Sequence, residues 1–213
     1  MPTRSVARGR WHPESGAASW VGSGGIGLLV LEGLLIRRVG VEDRFGAELL
    51  GEGDLLRPWQ GEDGSGTISP TTGWRILEAV RLAVLDEKAA RTLAAYPQIT
   101  GALVARAVGR SRNMAVNMAI IHHPRVNVRL LMLLWHLADR WGRVRSEGVV
   151  LPLHLTHSVL ADLVSARRPT VTSSLSDLAR QELVEPMNRG WLLRGEPPGE
   201  LLELEPVHVA AAE

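Results

Sequence analysis

The spacing of apolar residues changes along the chain. Between residues 26 and 85 the apolar runs are short and broken by Gly, Asp and Ser; beyond residue 97 they recur every three or four positions. Ile26 to Leu31 and Leu34 to Val39 predict two strands, with Glu32-Gly33 as the hairpin turn between them. Ala47 to Leu50, Trp74 to Leu77 and Val80 to Leu85 predict further strands, with a turn at Gly51-Glu52-Gly53-Asp54 and a loop from Gln60 to Gly66. Short strands at this spacing suggest a small sandwich or barrel. Asp86 to Ala95 predicts a short helix whose acidic start suits the helix dipole, and Tyr96-Pro97 ends it. From about Gln98 to His122 runs one long helix. Thr100, Val104, Ala107, Ser111, Met114, Met118 and Ile121 are spaced 4-3-4-3-4-3 along it, the spacing of a coiled-coil seam. Such a seam packs either on its own chain or on a second copy; the small Ala and Ser favour a parallel homodimer. The interface would use Val104, Ala107, Ser111, Met114, Met118 and Ile121. Val126 to Trp141 predicts a very apolar, buried helix, with Trp135 and Trp141 in the core.

The most structured pattern lies in residues 149 to 194. Val149 to Leu153 predicts a short strand. Thr156 can cap a helix, because its hydroxyl can accept a free backbone N–H. Val159, Leu160, Leu163 and Val164 then form one buried stripe, and Ser165-Ala166 fall at a turn. Pro169 suits the first turn of a second helix, where its missing N–H costs nothing. Val171, Leu175 and Leu178 face inward. Val184 to Met187, Asn188-Arg189-Gly190 and Trp191 to Leu193 read as strand, turn and strand. Helix, turn, helix and hairpin make a winged helix.

The second helix leaves Arg167, Arg168, Thr170, Thr172, Ser173 and Ser176 at its start and on its outer face. Arginine reads guanine O6 and N7 with a two-pronged bond, and hydroxyls bond bases or phosphates. A surface helical hairpin with solvated arginines would explain the apolar stripe but not this crowding at one helix start. The pattern points to a helix inserted in a DNA major groove, with Arg189 at the hairpin tip placed for a phosphate.

Composition narrows the chemistry. The 213 residues carry 24 basic and 23 acidic side chains, net +1, so nucleic-acid affinity must come from a local patch, of which Arg167-Arg168 is the best. Cysteine is absent, which excludes disulfides, thiolate catalysis and cysteine-ligated clusters. No nucleophile with a spaced base, no H-E-x-x-H and no phosphate loop occurs, so a non-enzyme is expected. Gly22 to Gly27 matches G-x-G-x-x-G, but an apolar, strand-like run follows and no strand precedes; it reads as a flexible lead-in. His122-His123 do not face one way on a helix, and His154 and His157 straddle a strand–helix junction, so no metal and no cofactor are expected. No apolar run is suited to span a bilayer and no signal segment is evident, so a cytoplasmic location is expected.

Residues 149 to 194 resemble the DNA-binding domain of the CRP/FNR superfamily of bacterial transcription regulators. L-T-H-S-V-L-A-D-L-V-S-A-R-R-P-T-V-T-S-S-L, then L-V-E-P, then R-G-W-L-L carry the resemblance. It implies that Arg168, Pro169 and Ser173 read bases, and that Thr156, His157, Arg167 and Thr170 hold phosphates. A glutamate often stands where Pro169 is and an arginine where Ser173 is, so a different operator is implied. A glycine common in the turn is Ser165 here, which is slightly strained if its φ is positive.

L-L-V-L-E-G-L-L-I-R-R-V-G-V and G-E-G-D-L-L are similar to the family's sensor domain, a jelly roll related to cyclic-nucleotide-binding folds. The domain looks shortened. The family's phosphate cassette needs Gly-Glu soon after the G-D turn and then an arginine; here Arg57-Pro58-Trp59 replaces the first, and Gly61 to Thr72 contains no arginine. Cyclic AMP and cyclic GMP are therefore not expected. Asn113 is the only polar candidate where cAMP-binding members offer hydroxyls. Arg57 and Trp59 either pack at the domain edge or line a pocket for another ligand.

The expected fold class is α+β. A flexible segment at 1–25 precedes a sensor β-domain at 26–97, a dimerisation helix at 98–123, a winged helix-turn-helix at 124–196 and an exposed tail at 197–213. The resemblance implies a homodimeric regulator on a pseudo-palindromic double-stranded DNA site, with RNA polymerase as a partner, an unknown small-molecule effector and no membrane. The alternative is a constitutive DNA-binding protein whose sensor serves only as a dimerisation scaffold.

Overall fold

Two short strands, β1 (Thr3–Val6) and β2 (Gly9–Trp11), and a helix, α1 (Ala17–Val21), begin the chain in a computed structural model. It describes residues 1–13, 17–22, 24–42, 44–58, 67–68, 70–197 and 199. Two units divide the chain, Met1–Val116 and Asn117–Glu213.

The first unit is built on two long strands, β3 (Gly27–Val41) and β6 (Thr71–Leu85), which pair antiparallel along most of their length. β4 (Arg44–Gly51) and β5 (Leu55–Leu56) pair with opposite halves of β3, as β1 and β2 do with opposite halves of β6. Leu28, Val30, Leu35, Leu50, Leu56, Trp74, Ile76 and Leu82 come from both halves yet share one buried cluster, so the sheet folds over on itself. Trp11 meets Trp74 edge-on at 5.8 Å.

Three expectations are corrected here. The stretch expected as a flexible lead-in pairs instead: Thr3–Val6 lies against Val80–Ala83, and Trp11, Ala17 and Val21 enter the core. The edge of β6 offers unpaired N–H and C=O groups, and a polar segment satisfies them as well as an apolar one. Nor is Glu32-Gly33 a hairpin turn. β3 runs through it, with register irregularities between Val30 and Leu35. Gly33 has φ of 92°, and a Cβ there would lie 2.2 Å from the Ala79 carbonyl oxygen. A positive-φ glycine can make a bulge as readily as a turn. Trp74–Leu77 and Val80–Leu85 are likewise one strand, β6. Gly22–Gly27 has a helix before it and a strand after it, the reverse of a dinucleotide fold; its Ser23 lies outside the described residues. So do Trp59, the loop from Gln60 to Gly66, and the tail apart from 197 and 199.

Asp86 caps α2 (Glu87–Leu93) by accepting the Ala89 N–H at 2.8 Å. Pro97 starts α3 (Pro97–His122), inside which the boundary between the units falls.

In the second unit, α4 (Val126–Trp141) buries Leu130, Leu133, Leu134 and Leu137. Trp135 is buried as expected, whereas Trp141 is half-buried beneath the Arg140 guanidinium, 4.4 Å from its ring. β7 (Arg143–Arg145), β8 (Gly148–Leu151), β9 (Val184–Met187) and β10 (Gly190–Leu193) form an antiparallel sheet in the order β7-β8-β10-β9. Between β8 and β9 lie α5 (His157–Leu163) and α6 (Arg168–Arg180). β7 escapes the sequence reading because it is three exposed residues.

Half-buried His136 on α4 is the titratable group to watch. Burial pushes its pKa below the ordinary histidine value, and Asp139 opposes the shift. The unfolded chain then binds the proton more readily than the folded one. Stability should be complete above about pH 6.5 and decline as the pH falls toward about 5. Denaturant titrations at both pH values should show this loss, and His136→Gln should shrink it.

Candidate nucleic-acid interface

Thr156 closes the start of α5, accepting the Val159 N–H at 3.3 Å. Val159, Leu160, Ala161 and Leu163 are buried, as are Val171, Leu175 and Leu178 of α6. Between the helices Ser165 has φ of 50°, the left-handed conformation that a glycine adopts without strain. The turn is held from outside: Arg129 of α4 donates to the Val164 and Ser165 carbonyls at 3.2 and 3.3 Å, and also to that of His123. Arg167 is the N-cap of α6, with extended backbone and no side-chain cap bond, and Pro169 occupies the first turn.

This geometry turns one face of α6 outward. Arg167, Arg168, Pro169, Thr170, Thr172, Ser173 and Ser176 are all exposed. Three of the hydroxyls donate to carbonyls of their own helix, Thr172 to Arg168, Ser173 to Pro169 and Ser176 to Thr172, at 3.1 to 3.3 Å. Their oxygens remain available as acceptors. Arg189 is exposed at the tip of the β9–β10 hairpin, whose strands are tied by Arg194 to Glu185 at 2.7 Å. Thr156 is exposed and His157 half-buried. Both border a groove of about 560 Å³ that Arg168 of α6 and Met187 and Trp191 of the hairpin also line. Every candidate DNA contact is thus found on α6, at the start of α5 or on the hairpin tip. The sequence reading missed Arg129, whose targets lie 35 and 36 residues away, and the packing of His157 against Trp191. An arginine inside an otherwise apolar helix was the available signal for the first.

A second cavity, of about 430 Å³, lies in the first unit. Arg37, Arg57, Trp74 and Arg110 line it, together with Ala107, Ser111 and Met114 of the expected seam. Arg57 is exposed and forms no ion pair or hydrogen bond among the described residues. Glu48 accepts two bonds from Arg110, at 2.5 and 2.9 Å, and pairs with Arg37 at 3.0 Å; Arg110 also donates to the Leu55 carbonyl at 2.9 Å. Burial works against the Arg110 charge, but the bonds and field of Glu48 outweigh it and raise its pKa. For Arg37 burial dominates and lowers it, aided by Arg110 and opposed by Glu48. Elsewhere along the seam Val104 and Met118 are exposed, at 57% and 59%, and Ile121 is half-buried. Asn113 is exposed. Among the described residues no cluster of His, Asp or Glu could hold a metal, and no helix is long and apolar enough to cross a membrane.

A folded-over antiparallel sheet, a long helix and a winged helix-turn-helix together make an α+β chain. Residues 128–195 match the Crp-like helix-turn-helix domain. The chain is 31% identical over 67 residues to ycf28 of Porphyra purpurea, named as an HTH-type transcriptional regulator, a match covering 32% of this chain and 28% of that one. It is 29% identical over 147 residues to a CRP-like cAMP-activated global transcriptional regulator of Mycobacterium tuberculosis, covering 68% of this chain and 58% of that one. The matched regions are thus less than two thirds of either relative. Among solved structures, a CooA mutant from Carboxydothermus hydrogenoformans superposes with TM-score 0.67 at 17% identity, covering 95% and 86% of the two chains. FixK2 from Bradyrhizobium japonicum does so with TM-score 0.65 at 16% identity, covering 99% and 98%. The match places a Crp-like helix-turn-helix domain at residues 128–195, and the chain shares the fold of these solved structures.

Two substitutions test this geometry. Ser165→Gly should raise stability by up to about 1 kcal/mol, because the left-handed strain exceeds glycine's entropy cost; a denaturation midpoint reads it. Glu48→Ala leaves Arg37 and Arg110 facing each other in a part-buried site and should cost about 3 kcal/mol. Glu48→Gln, which keeps an acceptor oxygen, should cost less.

Proposed function

We propose that this chain is a sequence-specific DNA-binding transcription regulator, non-enzymatic and cytoplasmic, that works as a homodimer. The display on α6 carries the reading. Arg167, Arg168, Thr170, Thr172 and Ser173 stand exposed at the helix start while Val171, Leu175 and Leu178 anchor the opposite face, within a Crp-like helix-turn-helix domain. Arg168, Pro169 and Ser173 are assigned to base edges. Thr156, His157, Arg167, Thr170 and Arg189 are assigned to phosphates, with Thr172 and Ser176 beside them. Pairing through α3, at Val104, Ala107, Ser111, Met114, Met118 and Ile121, would set two copies of α6 about one helical turn of DNA apart on a pseudo-palindrome. RNA polymerase is the proposed partner on that site.

Arg57 and the neighbouring arginines are the proposed lining for an effector other than cAMP. A second reading, in which the first unit is only a dimerisation scaffold and binding is constitutive, is favoured by Glu48. Its carboxylate already sits between Arg37 and Arg110, where a ligand's anion would otherwise be held. Calorimetric titration with cyclic nucleotides should give no heat under either reading.

Selection from random DNA should return a two-fold site. Arg168→Ala should cost about 1–3 kcal/mol on that site and relax base choice at one position of each half. Arg189→Ala should weaken all sequences evenly and reduce the salt slope by about one per protomer. Unchanged affinity in Arg168→Ala would overturn the docking.

A further inference from the structure

His157 lies where α5, α6 and the β9–β10 hairpin meet. Its Nδ1 is 2.9 Å from Thr172 Oγ1, and its ring centroid is 6.5 Å from that of Trp191, with the planes inclined at 34°. The titratable or charged groups sharing its groove are His154, from the segment before α5, and Arg168, from α6; the hairpin residues lining it, Pro186, Met187, Gly190 and Trp191, bring none.

The hydrogen bonds decide which ring nitrogen carries the proton. Thr172 Oγ1 donates to the Arg168 carbonyl at 3.1 Å. A hydroxyl has one proton and two lone pairs, so with that proton committed Oγ1 can only accept from the imidazole. Nδ1 must then bear the hydrogen. In the neutral ring Nε2 is left bare, an acceptor, and an acceptor cannot bond a phosphate oxygen. His157 becomes a phosphate donor through Nε2 only after a second proton arrives. An arginine at this position would donate at any pH.

We infer that His157 is a proton-gated phosphate contact: the chain engages the DNA backbone there only as imidazolium, and each protomer takes up one proton on binding duplex DNA. The inference rests on the DNA-binding reading above and deepens it. A phosphate between His157 and Arg168, which share the groove, would offset both charges. Trp191, against the ring, limits how far the imidazole can turn away from Thr172.

The test is the affinity of the full chain for a mixed-sequence duplex at low salt, where phosphate contacts dominate, followed from about pH 8 down to about pH 5.5. Affinity should rise as pH falls, by up to about tenfold per pH unit per protomer at its steepest. His157→Gln should remove that slope, and His154→Gln should keep it. Thr172→Val, which changes no charge, should flatten it, because the ring is then free to carry its hydrogen on Nε2. Side-chain 15N shifts of His157 in the unbound wild-type chain should report Nδ1–H with Nε2 bare. A slope that survives His157→Gln, or an Nε2–H ring in the unbound chain, would overturn the inference while leaving the DNA reading intact. Absence of binding at every pH would sink both.

Discussion

Val171, Leu175 and Leu178 lie on one face of α6 and are held in the core of the second unit. Their burial stabilises the fold by about 1.5–3 kcal/mol each. It also fixes the rotation of α6 about its axis. Turning the helix by one residue, about 100°, would expose the apolar stripe and carry charged or hydroxyl groups toward the core. The placement of Arg168, Thr172 and Ser173 therefore follows from the residues that never meet solvent. Arg129 and the left-handed Ser165 complete the constraint by setting where α6 begins. What the helix displays is the complement of what it must hide.

The first unit obeys a different constraint. Its two long strands span the whole sheet, and the irregularity at Gly33 lets both halves of β3 face one core. On the side lined by α3, Arg37 and Arg110 pair with Glu48, Asp54 adds to the field at Arg110, and Arg57 lines the same cavity. That inventory differs from a cyclic-nucleotide cassette, and it leaves positive charge in excess. The Arg37 Nε and Trp74 Nε1 atoms nearby are buried without a hydrogen-bond partner. The polar groups on this side of the unit are thus organised around an internal ion pair.

The helical half of the molecule was legible in the sequence because its signals are local. Val126 to Trp141 has the bounds read from apolar spacing, and Thr156, Pro169 and Asn188-Arg189 mark turns and caps that sit where their chemistry puts them. The outward set on α6 was equally legible, since periodicity alone divides a helix into faces. The strand-rich half was less so. Gly33 signals an unusual backbone without saying whether it is a turn or a bulge, and only the pairing with β6 decides. β1 and β2 form because a distant edge needs partners, which a local pattern cannot reveal. The same holds for Glu48 and Arg110, 62 residues apart, and for Arg129 and its carbonyls. His157 was legible as a candidate residue, but its hydrogen-bond partner on the next helix was not.

α3 has a consequence of its own. It is 26 residues long, about 39 Å at the usual rise per residue, and Ile120 is its one fully buried side chain. A helix with so little covered surface draws scant support from its own polypeptide, since most helical stability in proteins comes from packing an apolar face. If two copies pair along it as proposed, its order would follow protein concentration, and dilution would fray the helix.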